Sequence, residues 1–102
     1  SPSGQNVYPE EIEAVVNSQP YVLESVVVQR EHRLIALIYP DRKLAQQMNL
    51  SSDADLLRYY QGRLKEVNRN FPVYAHVNDV ELVEEEFEKT PKRSIKRYLY
   101  QR

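Results

Sequence analysis

The 102-residue chain has no cysteine and no tryptophan, one methionine and only two glycines. Without cysteine there is no disulfide framework, no thiolate ligand for zinc or an iron–sulfur cluster, and no thiol nucleophile. With Gly4 and Gly62 as its only glycines, the chain has no glycine-rich loop of the kind that cradles phosphates. Its longest apolar runs, residues 26–28 and 34–39, fall far short of the roughly 20 residues that a membrane-spanning helix needs. No transmembrane segment is expected. Histidine is scarce as well: His32 falls in a charged turn and His76 at a strand entrance, with no pair at metal-ligand spacing. No metal site is expected, and neither histidine has the acid and nucleophile neighbours of a catalytic base. There is no basic and apolar leader, and the opening Ser1-Pro2-Ser3-Gly4 lacks a methionine, which reads as a piece of something longer.

What is present is a chain with 41% hydrophobic and 28% charged residues, as in one small soluble domain. A reducing cytoplasm suits it. The net charge of −1 hides an uneven distribution. Lys89, Lys92, Arg93, Lys96, Arg97 and Arg102 place six basic residues and no acid after position 88, leaving 8 basic against 15 acidic residues before it. Such asymmetry describes either a solvated terminus or a tail that meets an anion, phosphates being the usual one. The acidic run Glu84-Glu85-Glu86 and Glu88 reads as an exposed turn beside that tail.

Pro9-Glu10-Glu11 followed by Ile12, Val15 and Val16 predicts a helix, with proline first, carboxylates in the first turn and apolar residues at helical spacing. Residues 22–29 and 34–39 are β-branched and aliphatic runs joined by Arg30-Glu31-His32-Arg33, which predicts an antiparallel hairpin. Their apolar residues do not alternate, so both faces of the sheet need cover, and the flanking helices are the obvious source. Ser51-Ser52-Asp53 offers caps, and Leu57, Tyr60, Leu64, Val67 and Phe71 follow at spacings of 3, 4, 3 and 4. Residues 77–83 read as a third strand, and 94–102 as a short final helix with Ile95, Tyr98 and Leu99 inward. The order α-β-β-α-β with a short final α predicts an α+β fold. It would be a small three-stranded, mainly antiparallel sheet with helices packed on its faces, in a single domain over residues 1–102.

Two segments carry a resemblance. Residues 3–13, Ser-Gly-Gln-Asn-Val-Tyr-Pro-Glu-Glu-Ile-Glu, closely resemble the loop and helix that open the small C-terminal domain of adenylate-forming enzymes, the acyl-CoA synthetases and their relatives. Residues 87–97, Phe-Glu-Lys-Thr-Pro-Lys-Arg-Ser-Ile-Lys-Arg, are similar to the motif that closes that domain, and Asn70-Phe71-Pro72-Val73-Tyr74 resembles the family's segment before the last strand. The resemblance implies a two-step ligase. A carboxylate attacks the α-phosphate of ATP to give an acyl-adenylate, and a thiol, usually coenzyme A, displaces AMP. ATP and CoA are then co-substrates, with Mg2+ in the full-length enzyme, and none is held by the isolated fragment. It also implies a rotating C-terminal domain whose partner, a large N-terminal domain, is absent here, so that the fragment is inactive alone. The expected location is cytoplasmic, with membrane association through the missing domain or the substrate as an alternative.

The resemblance also assigns residues. Ser3, Gly4, Gln5 and Asn6 match the loop that lies against the pantetheine tunnel in the thioester-forming pose, where a glycine without Cβ lets the backbone approach. The family's closing pattern is threonine, two variable positions, often a glycine, then a catalytic lysine, a hydrophobic residue, a variable position and a basic residue. Matching Thr90, Ile95 and Arg97 puts Ser94 where that lysine belongs. A hydroxyl donates a hydrogen bond but brings no positive charge to the developing anion. Three explanations stand open: Lys96 or Lys92 reaches the site instead, the serine is a substitution, or adenylation is weakened. Lys96 and Lys92 each lie two positions from Ser94 and share its face only if the segment is extended. Lys89, Arg93 and Arg97 are candidates for contacts with CoA phosphates or with acidic groups of the large domain. The paired basic residues and missing glycine look most like the long-chain fatty acyl-CoA synthetases. Two rival readings are a catalytically silent interaction domain of the same fold and a small nucleic-acid-binding module built on the basic, tyrosine-bearing tail. A pI of about 6.1 speaks against the latter.

Overall fold

The computed structural model describes residues 8–101. Helix α1 (Pro9–Asn17) starts as its sequence predicts, on a proline with Glu10 and Glu11 in the first turn, and buries Ile12, Glu13 and Val16. Strands β1 (Val22–Arg30) and β2 (Arg33–Pro40) form the antiparallel hairpin, with Val27 opposite Ala36. The turn between them is two residues long, and Glu31 and His32 both take positive φ, 50° and 65°, the backbone a tight twisted hairpin turn needs. Helix α2 (Arg42–Gln47) follows, capped by Asp41, whose side chain accepts from Leu44 N at 3.0 Å. Helix α3 (Asp53–Asn68) is capped by Ser52 and buries Leu56, Tyr60 and Val67. It crosses back over the sheet, so β3 (Val77–Leu82) joins β2 in parallel.

The result is an α+β domain around a three-stranded mixed sheet in the order β1-β2-β3. Successive strand residues point to opposite faces. Val27, Ala36, Ile38 and Val80 pack with Ile12, Val16, Leu56 and Tyr60 under α1 and α3. Val26, Val28, Ile35 and Leu37 face the other way, where the cover is Phe87 with Tyr39, Val83, Ile95 and Tyr100. This corrects the expectation that helices shield both faces: the second face is covered mainly by the C-terminal segment, because α1 and α3 lie on the same side. That segment is not the helix expected over 94–102 either. Residues 94–96 are outside any helix, and only Arg97–Leu99 form a single 3-10 turn. Ile95 packs inward, but Tyr98 and Leu99 are 71% and 45% exposed. Among the described residues no helix is long and apolar enough to cross a membrane.

Candidate functional site

The closing segment folds as a miniature hairpin on the second face of the sheet. Lys89 and Ile95 pair as an isolated antiparallel bridge, Thr90 N donates to Ser94 O at 2.8 Å, and Lys96 N donates to Glu88 O at 2.9 Å. Between them Thr90-Pro91-Lys92-Arg93 makes a tight turn, closed by Arg93 N on Thr90 O at 2.8 Å. Proline suits the second position of such a turn. Thr90 Oγ1 accepts from Ser94 N at 3.2 Å, so the threonine side chain braces the exit of the turn. Arg93 pays for the geometry with φ 68°, a left-handed conformation that costs a non-glycine residue about 1 kcal/mol or more.

Ile95 is turned into the core beside Phe87 and Tyr100, so Ser94 and Lys96 flank it on the side away from that core, Ser94 exposed and Lys96 half-buried at an inverse γ-turn (φ −77°, ψ 76°) closed by Arg97 N on Ile95 O at 2.9 Å. The alternative left open by the sequence, a helix pointing them apart, does not occur at these residues. Lys92 sits at the exposed tip of the turn. Among the described residues no ion pair engages Lys92, Arg93 or Lys96.

Lys89 and Arg97 are differently placed, since both are used inside the domain. Lys89 Nζ lies 2.6 Å from Glu24 Oε2 on β1 and donates to Phe87 O at 3.0 Å, while Glu24 Oε1 accepts from Phe87 N at 3.1 Å. Arg97 reaches α1 and β1 together. Its Nη1 donates to Glu13 Oε2 and, at 3.1 Å, to Val27 O; its Nη2 donates to Glu13 Oε1 at 3.1 Å and lies 3.4 Å from Glu10 Oε1. Glu13 Oε2 also accepts from Val27 N at 2.7 Å. These bonds, chiefly that to Glu13, raise the Arg97 pKa above its ordinary value and keep the guanidinium charged. Two of the six cations in the basic tail therefore meet carboxylates of the domain's own α1 and β1. The candidates for an external anion reduce to Lys92, Arg93 and Lys96 among the described residues. Glu13 is a structural hub; its sole sequence signal is a position one turn before buried Val16 on the apolar side of α1.

Further along the tail, Tyr100 stacks edge-on against Phe87 with ring centroids 4.9 Å apart, so it is not available to stack on a base. Its hydroxyl accepts from Glu88 N at 2.9 Å and its carbonyl accepts from Arg30 Nη2 at 3.1 Å. A separate groove of about 510 Å³ is lined by His32, Arg33, Tyr74, His76 and Asn78. His76 Nε2 stands 2.8 Å from Phe71 O, which requires the proton on that nitrogen. Ser3, Gly4, Gln5 and Asn6, the predicted pantetheine loop, lie outside the described residues. Among those described, no three metal-ligating side chains come together.

Residues 2–102 match the family described as the AMP-binding enzyme C-terminal domain. The chain belongs to that family. It is thereby the C-terminal domain type of adenylate-forming enzymes. Its fold recurs in a benzoate CoA ligase from Burkholderia xenovorans (20% identity, 95% of this chain, 19% of that one, TM-score 0.67). It recurs in the O-succinylbenzoate coenzyme A synthetase MenE from Bacillus subtilis (22% identity, 93% and 17%, TM-score 0.62). A fatty acyl CoA synthetase from Mycobacterium tuberculosis is 25% identical, over 95% of this domain and 18% of its own chain, with TM-score 0.57. The domain thus spans less than a fifth of the length of these solved chains. No curated protein sequence matches it.

Proposed function

We propose that this domain is the mobile C-terminal part of an ATP-dependent fatty acyl-CoA synthetase, which converts fatty acid, ATP and CoA to acyl-CoA, AMP and pyrophosphate. The observation that carries the reading is the closing turn: its Ser94 position shares an outward face with Lys96, and Lys96 has no ion pair among the described residues. In the adenylation step the carboxylate oxygen bonds to the α-phosphorus as the bond to pyrophosphate breaks, and negative charge grows on both. A preorganised cation stabilises that charge. Lys96 supplies it in place of the residue at position 94, with Ser94 Oγ as a neutral donor beside it. Lys92 and Arg93, on the turn itself, meet phosphates or acidic groups of a preceding large domain. ATP, Mg2+, CoA and the acyl chain are held mainly outside this domain, so the domain alone is inactive. The pantetheine contact falls to Ser3, Gly4, Gln5 and Asn6. The long-chain preference rests on the paired basic residues of the closing motif.

The test is fatty-acid-dependent exchange of pyrophosphate into ATP by the full-length protein, with Lys96→Gln, Lys92→Gln and Ser94→Lys variants. Loss of exchange in Lys96→Gln by about two orders of magnitude is expected for removal of a preorganised charge. Ser94 itself favours a second reading, a catalytically silent interaction domain. Exchange seen only in Ser94→Lys, and never in the unmodified protein, would establish that reading instead.

A further inference from the structure

We infer that Arg97 is a positioning residue, which holds the Ser94 and Lys96 face in place through Glu13 and Val27 rather than meeting phosphate itself. The inference rests on the adenylation reading for its consequence, but its geometry stands apart from it. The main-chain N–H and C=O of Val27, on the edge strand β1, are both used: the first donates to Glu13 Oε2 at 2.7 Å, the second accepts from Arg97 Nη1 at 3.1 Å. The ion pair thus does for one residue what a fourth strand would do. Arg97 is therefore tied at its guanidinium to α1 and β1, and Lys96 is the residue next to it.

The tether acts at short range. Arg97 N donates to Ile95 O at 2.9 Å, and Lys96 N to Glu88 O at 2.9 Å, so a shift of Arg97 moves the backbone on both sides of Lys96. Among the described residues no other hydrogen bond or ion pair beyond Lys96 reaches the opening helix: Tyr98 and Leu99 are exposed, and Tyr100 is anchored to Phe87 and Arg30. All of the fork toward Glu13 is engaged, two guanidinium nitrogens on two carboxylate oxygens, a geometry that lysine cannot reproduce. A phosphate ligand would instead have to displace a carboxylate that is itself buried and bonded to Val27.

The test compares Arg97→Gln, Arg97→Lys, Glu13→Gln and the double Gln variant in the full-length protein. Glu13→Gln keeps the shape of the side chain and an acceptor for Val27 N–H, which protects folding. Each Gln variant is expected to lower kcat for pyrophosphate exchange by about 10- to 100-fold, as a misplaced reacting group does. The KM for ATP should stay within about twofold, and the double variant should be no worse than the worse single, since the two residues act as one unit. Thioester formation from supplied acyl-adenylate should be unchanged, which general destabilisation would not allow. Arg97→Lys should fall between. A raised KM for ATP or CoA in Arg97→Gln, with Glu13→Gln unaffected, would overturn the inference. If the unmodified protein exchanges with no acid, the proposed function falls separately. Amide hydrogen exchange still decides the tether: faster exchange at Leu99 and Tyr100, whose N–H groups bond to Lys96 O and Arg97 O, in Arg97→Gln and Glu13→Gln supports it, and unchanged exchange there refutes it.

Discussion

Asn68, the last residue of α3, bonds to both main-chain polar groups of Val77: its Oδ1 accepts from Val77 N at 2.8 Å and its Nδ2 donates to Val77 O at 2.9 Å. One carboxamide therefore closes the start of β3, an edge strand, as the Glu13 and Arg97 pair closes the middle of β1, the other edge. A three-stranded sheet has two edges for one interior strand, and unpaired edge groups invite association with other chains. Replacing Asn68 by Ala should cost about 1–3 kcal/mol through two unsatisfied main-chain groups. Urea denaturation of the domain, read as a lower midpoint at unchanged slope, checks this.

Gly62 lies inside α3, is exposed, and has nothing within 4 Å of where a Cβ would stand. Gly62→Ala should stabilise by about 1 kcal/mol, from the helix propensity difference alone. A thermal melt that fails to rise would show that α3 is constrained by something other than its own backbone.

Arg93 holds a left-handed backbone at the turn that carries Ser94. Arg93→Gly should relieve about 1 kcal/mol of strain while leaving the turn intact. The same variant reads out function: if Arg93 meets an external anion, stability rises as affinity for that anion falls. Equilibrium unfolding and titration with pyrophosphate measure the two effects on one sample.

Phe87 is 2% exposed and is the main cover of the second face. Phe87→Ala should lower stability by about 3–5 kcal/mol, the range for an aromatic lost from a core. The closing turn should loosen with it, seen as faster amide exchange at Thr90 and Lys96.

The Arg42 and Asp53 pair gives a pH signature. Hydrogen bonds from Arg42, at 3.0 Å and 3.3 Å, hold the Asp53 carboxyl below its usual range. A depressed folded pKa means that the contribution is complete above the unfolded value, about 3.9 for Asp, and fades as pH falls through the folded one. Asp53 is half exposed, so the effect should stay below about 1 kcal/mol. Stability of Asp53→Asn relative to the unmodified domain, followed from pH 6 downward, should show a difference that closes only in acid.

Much of the fold was legible because its signals are local. Pro9 with two following carboxylates announces α1, and the run from Leu57 to Phe71 announces α3, although Leu56 rather than Leu57 proves fully buried. Helix α2 was missed because it is six residues long, largely polar, and buries only Ala45. The parallel placement of β3 depends on where α3 crosses the sheet, which no pattern within either segment records. The site divides in the same way. The turn from Thr90 to Ser94 follows from its own residues, whereas Arg97 finds Glu13 across 84 positions, with fifteen acidic residues to choose among by sequence alone. The sequence leaves the basic tail open between solvent and an anion; for Lys89 and Arg97 the partner is a carboxylate of the same domain.

The reach of Arg97 also sets an order of events. Its partners Val27 and Glu13 lie 70 and 84 residues earlier in the chain, and Phe87 docks on strands that must already be paired. Long-range contacts of this kind form late, because loop closure precedes their reward. Synthesis runs from the N-terminus, so α1 and the hairpin can wait, assembled, for the residues that complete them. The closing turn then acquires its shape last, on a finished surface. A molecule whose sheet has failed to form offers Phe87 and Arg97 nothing to dock on, so the docking of the closing segment doubles as a check on the earlier steps.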